Sequence, residues 1–130
     1  MKKQVRKGVY ETNSSSTHSI TMCMKSEYDR WEKDGLFLYK GYGYGFQENN
    51  QPEEGNFYTK KEVIEFLKTN KYRDKNFDWS DDERLMEWIH EEAFCDYDYF
   101  WDCYTCEFET YEDSIKTPNG DEVVAFGYYG

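Results

Sequence analysis

Positive charge is scarce in this chain: 16 lysines and arginines stand against 27 aspartates and glutamates, for a formal net charge of −11. A protein that grips a nucleic-acid backbone needs those cations to neutralise phosphates and release counterions, so direct nucleic-acid binding is not the expected role. Long apolar runs are missing as well. No stretch approaches the length of a membrane-spanning helix. The basic opening Met1-Lys2-Lys3 leads into the polar stretch from Glu11 to Ser19, where a signal peptide would carry an apolar segment. Both features point to a protein made and used in the cytoplasm. No glycine-rich phosphate loop, no His-Glu-x-x-His and no nucleophile elbow occurs, so the chain offers no motif for the commonest enzyme classes.

Branched aliphatic residues are also in short supply. Hydrophobic residues make up 38% of the chain, and Phe, Trp and Tyr alone account for 20%. At 130 residues the chain is expected to form one domain over residues 1–130, with a single thin core that a metal or a partner surface supplements. Ile20, Met22 and Met24 alternate with Thr21 and Cys23 in the manner of a strand, which puts Cys23 and the apolar set on opposite faces. Ser26 is placed to cap a short helix carrying Tyr28 and Trp31 that Gly35 ends. A strand over 36–39 follows, and then Gly41-Tyr42-Gly43-Tyr44-Gly45-Phe46. There glycine leaves one face bare, and the rings either pack on another element or form a surface patch.

Thr59-Lys60-Lys61-Glu62 reads as a capping box for a helix whose apolar face carries Val63, Ile64, Phe66 and Leu67. Ser80-Asp81-Asp82-Glu83 reads as a second box, opening a helix whose stripe runs through Leu85, Met86, Ile89, His90, Ala93 and Phe94. Beyond it, an extended segment over 104–116, a turn at Pro118-Asn119-Gly120-Asp121 and a return over 123–126 predict a C-terminal hairpin. The expected fold is α+β: an antiparallel sheet with that hairpin, two or three helices packed on one side, and a metal staple.

The staple is expected at the cysteines. Three of the four lie between Cys95 and Cys106, and Cys103-Tyr104-Thr105-Cys106 is a Cys-x-x-Cys turn. Structural zinc takes four soft ligands at tetrahedral corners, and such a turn supplies two of them without straining the chain. Cys95 and Cys23 complete the proposed set of Cys23, Cys95, Cys103 and Cys106, with His18 or His90 as substitutes. The competing readings are buried thiols acting as small hydrophobes and a redox pair. The many nearby acids disfavour the redox pair, because they hold thiols protonated.

Residues 81–113 hold thirteen carboxylates against Arg84 alone, a local charge of −12 that exceeds the net charge of the whole chain. In Asp96-Tyr97-Asp98-Tyr99-Phe100-Trp101-Asp102, acids alternate with rings. Such a surface can meet a groove built for nucleic acid, with Glu91, Glu92, Asp96, Asp98 and Asp102 standing where phosphates go. The plainer reading is a solvated helix face and an acidic hairpin with the rings in the core.

Two resemblances bear on function. Arg6, the run Ser14-Ser15-Ser16-Thr17 and Glu107-Phe108-Glu109 follow the order of elements in ADP-ribosyltransferases, although the middle element is not a true Ser-Thr-Ser. The stretch from Arg6 to Ile20 resembles the opening of small proteins from phages and mobile elements of Firmicutes. Small size, acidity and cysteines together resemble the phage anti-CRISPR proteins that inhibit Cas9. That second resemblance implies a non-enzymatic inhibitor in the cytoplasm of a bacterial host. It would bind a basic Cas9 surface and block engagement or loading of target DNA. The alternatives are a small phage enzyme modifying a host protein, or a phage accessory protein without an inhibitory role.

Overall fold

The structure is a computed structural model and describes residues 18–129. The described chain is α+β and divides into two compact units, one of residues 18–34 with 98–129 and the other of residues 35–97. In place of the one sheet expected from sequence there are two, each antiparallel and three-stranded. No helix among the described residues is long and apolar enough to cross a membrane.

The first unit is built on strands β1 (His18–Met24), β5 (Glu109–Lys116) and β6 (Glu122–Tyr129), in the order β1-β6-β5. The C-terminal hairpin forms with eight consecutive pairs from Glu109↔Tyr129 to Lys116↔Glu122. Its turn is closed by the Thr117 N–H on the Asp121 carbonyl at 2.7 Å and by Gly120 at φ +88°. One face of the sheet carries an aromatic core. Trp31, on helix α1 (Lys25–Lys33), stacks on Phe126 with centroids 5.0 Å apart and meets Phe100 edge-on at 5.3 Å. Each such ring pair adds roughly 0.5–1.5 kcal/mol beyond the area it buries, which offsets the shortage of aliphatic side chains.

The alternation expected in β1 is present, but its apolar side chains face outward: Met22 is 63% exposed and Thr21 only 5%. Thr21 pairs opposite the buried Phe126 and shares its face of the sheet, which leaves Met22 on the other face. The helix after β1 also starts earlier than Ser26. Its N-cap is Met24, and no side-chain cap bond is made.

The extended segment expected from Tyr104 begins five residues later. Tyr97–Tyr99 (α4) runs into a π-helical turn over Phe100–Tyr104, which Thr105 closes by donating its hydroxyl to the Phe100 carbonyl at 2.8 Å. Phe100 and Trp101 are buried here, so these two rings belong to the core and are not surface anchors, while Tyr99 is half-buried.

The second unit carries β2 (Phe37–Tyr39), β3 (Phe57–Tyr58) and β4 (Phe94–Cys95) in the order β3-β2-β4, with helices α2 (Lys60–Lys68) and α3 (Asp82–Glu91). The first capping box forms as expected: the Thr59 hydroxyl accepts the Glu62 N–H at 3.2 Å, and the Glu62 carboxylate accepts the Thr59 N–H at 2.9 Å. The second is shifted by one residue. Asp81 is the cap, accepting the Arg84 N–H at 3.2 Å, while Ser80 turns back to Asp78. Helix α3 also ends sooner than its apolar stripe. Ala93 adopts φ +66° and the chain reverses, so Phe94 and Cys95 pair with Tyr39 and Leu38 as a strand. Val63, Leu67, Leu85, Ile89 and Phe94 are fully or nearly fully buried in the core of this unit.

Candidate docking surface

The charged residues of α3 alternate with its buried stripe, so Glu83, Arg84, Glu87 and Glu91 are exposed while Leu85 and Ile89 are buried. Arg84, Glu87 and Glu91 recur at three- and four-residue spacing and therefore line one side of the helix. They border a cleft of about 250 Å³ whose other walls are Tyr72, Asp74, Phe77 and Trp88. The cleft thus combines three carboxylates with three aromatic rings.

Its aromatic wall is rigidly supported. Phe77 meets Trp88 at 5.0 Å and Trp79 at 5.0 Å, and Trp79 lies 5.6 Å from Trp88. The Trp88 indole lies one helical turn before Glu92 and favours its charged form. Glu92 accepts the backbone N–H of Tyr44 at 2.9 Å. Burial raises the Glu92 pKa above the ordinary carboxylate value, and these two neighbours oppose the rise.

The same contacts tie down the glycine–aromatic stretch. Tyr39 Oη accepts the Gly43 N–H at 3.1 Å, and Asn70 donates to the Tyr44 carbonyl. Gly45, at φ +83°, lies where a Cβ would strike Asn70 and Tyr72, so glycine is required there. Both sequence readings of this stretch hold in part: Phe46 packs against the core, while Tyr42 and Tyr44 stand in solvent, Tyr44 at 75% exposure. With Tyr72 at 71%, they are the exposed rings of this unit. The alternation of acids and rings predicts surface rings between Asp96 and Asp102 as well. The usable signal lay in the bare glycines, which cannot cover the tyrosines beside them.

The five acids expected to meet a partner differ in role. Glu91 is exposed on α3, and Asp98 and Asp102 are exposed in the first unit. Glu92 is half-buried and holds the loop just described. Asp96 is engaged by His90, Nε2 to Oδ1 at 2.8 Å. Two of the five therefore serve the fold of their own unit.

Cys23, Cys103 and Cys106 belong to the first unit and Cys95 to the second. Cys103 and Cys106 are exposed, with the Cys106 N–H on the Cys103 carbonyl at 3.3 Å. Cys23 is half-buried on β1, and burial together with Glu27 pushes its thiol up to about 12. Cys95 is buried on β4, where desolvation drives its pKa up against the opposing charge of Lys40. That lysine is itself 2% exposed, and burial lowers its pKa. Among the described residues, no group of three or more His, Cys, Asp or Glu side chains is arranged to hold a metal ion. The described residues thus lend no support to the expected metal staple, and burial favours the protonated thiol at Cys23 and Cys95.

Arg6 and the Ser14–Thr17 run lie outside the described residues. Of the third element of that resemblance, Glu107 is exposed and Glu109 accepts the Tyr129 hydroxyl at 2.7 Å. In comparisons with known proteins, no family model, no curated protein and no solved structure matches the chain.

Proposed function

We propose that this protein is a non-enzymatic inhibitor that binds a basic, nucleic-acid-binding surface of a partner protein, and that the partner is Cas9. It acts as an anti-CRISPR in the cytoplasm of a bacterial host and keeps target DNA from engaging or loading. The observation that carries this reading is the exposed row of carboxylates on α3 beside a supported aromatic wall. Carboxylates held on a folded backbone compete with phosphates for the same arginines and lysines without paying the ordering cost of a disordered acidic tail. Cas9 holds its heteroduplex in positively charged channels and reads its flanking motif with arginines, so it presents suitable grooves.

Cleavage of a target duplex by guide-loaded Cas9, titrated with this protein, tests the proposal. Inhibition that saturates near one inhibitor per Cas9, needs no added nucleotide and leaves the mass of Cas9 unchanged supports it. Undiminished cleavage at large excess overturns it, and a mass change on Cas9 points to the modifying-enzyme alternative instead.

Zinc binding is proposed from cysteine spacing. The described residues contribute to it the exposed Cys103–Cys106 turn, while a metal at Cys23 or Cys95 would have to displace the proton that burial favours there. Metal analysis of protein purified without chelator decides it: one zinc per chain supports the proposal, and none removes it.

A further inference from the structure

We propose that the cleft beside α3 receives a single arginine side chain of the partner, stacked on the Trp88 indole and paired with Glu87 and Glu91. The inference rests on the reading of this protein as a binder of basic surfaces, and it names the place and the chemistry of the contact. Three observations converge on it. The cleft is concave and bounded by Tyr72, Phe77 and Trp88 on its aromatic side, and by Asp74, Glu87 and Glu91 as carboxylates. The indole is held between Phe77, which meets it edge-on at 5.0 Å, and Trp79 at 5.6 Å, so its orientation is set before a ligand arrives. Independently of the carboxylates, one ring of the cleft already attracts a cation: Lys71 Nζ lies 5.0 Å from the centre of the Tyr72 ring, and Lys68 Nζ lies 5.6 Å from that of Trp79, which packs on the cleft wall without lining it.

A planar guanidinium suits this arrangement better than an ammonium does. It can lie flat on an indole while its edge N–H groups pair with carboxylates, whereas lysine brings a strongly hydrated point charge. Arg84 stands on the same rim and opposes a second cation. It therefore limits the charge the cleft will accept.

The test uses the 130-residue chain and the peptide acetyl-Gly-Arg-Gly-amide, with citrulline and lysine versions as controls. Binding is followed through the indole N–H resonance of Trp88, assigned with Trp88→Phe. The arginine peptide is expected to shift that resonance in a saturable way, the lysine peptide to bind more weakly, and the citrulline peptide not to bind. E87Q combined with E91Q is expected to weaken the arginine peptide about tenfold, and Arg84→Ala to tighten it. Both carboxylates are exposed, so the double variant is expected to keep its fold, checked by an unchanged far-ultraviolet spectrum. A citrulline peptide that binds equally well, or an affinity indifferent to E87Q and E91Q, overturns the proposal. The Cas9 cleavage assay separates the two readings. If Cas9 is inhibited equally by the unaltered chain and the double variant, the cleft assignment fails and the inhibitor reading stands. If the peptide behaves as expected and Cas9 is untouched, the cleft stands and its natural partner is another basic protein.

Discussion

The Glu92 carboxylate accepts the backbone N–H of Tyr44 at 2.9 Å, joining the glycine–tyrosine loop to the C-terminal end of α3, one turn beyond Trp88 of the acidic cleft. Sequence places the two residues far apart, 44 against 92, and the fold joins them through one carboxylate. Glu92 is thus an acid of the acidic block whose work is internal.

A pH dependence follows from this position. Burial raises the Glu92 pKa above its ordinary 4.5, so the folded state holds this proton more tightly than the unfolded state does. The stability that proton contributes is present at low pH and is lost as pH rises through the raised pKa. Glu92→Gln should therefore remove part of the fall in stability between acid and neutral pH, as measured by denaturant unfolding at a series of pH values. Parallel pH profiles for the two proteins would contradict the assignment.

The cysteines should react in order. Alkylation under native conditions, followed by intact-mass and peptide analysis, is expected to label Cys103 and Cys106 first. Cys23, with its thiol pushed up to about 12, should follow slowly, and Cys95 should resist until the protein unfolds. Zinc on the Cys-x-x-Cys turn would slow the first two, and chelator would restore them. Early labelling of Cys95 would show that β4 is not buried as described.

Gly127 is expected to tolerate no side chain. It sits opposite Ile20 in the β1–β6 pairing, and a Cβ there would overlap the Ser19 carbonyl oxygen, which also accepts the Tyr111 hydroxyl at 2.6 Å. Gly127→Ala should cost about 3 kcal/mol or more, by parting the strands or breaking that bond. Thermal unfolding measures it, and a loss below about 1 kcal/mol would contradict the close approach.

Local signals were legible where one stretch of chain settles the outcome. The Thr59–Glu62 box and the turn between Lys116 and Glu122 appear in the fold because their hydrogen bonds are satisfied within a few residues. What periodicity could not show was which face of β1 looks inward, because that depends on the face on which Trp31 stacks against Phe126. It also could not show that the stripe of α3 would break at Ala93, where pairing of Phe94 and Cys95 with β2 outweighs continued helix. The candidate site was half visible. Its carboxylates stood out as a charge block, but its rings come from residues 72–79 and from Trp88, which only the fold brings together.

The central claim is that exposed carboxylates of this protein take the place of phosphates on a basic partner. The most direct measurement is the dissociation constant for guide-loaded Cas9 at two salt concentrations, for the unaltered chain and for a variant with Glu87, Glu91, Asp98 and Asp102 all changed to amides. The account predicts nanomolar-to-micromolar binding that weakens steeply with salt, and a variant both weaker by at least about tenfold and less sensitive to salt. Equal affinities and equal salt slopes for the two proteins would contradict it.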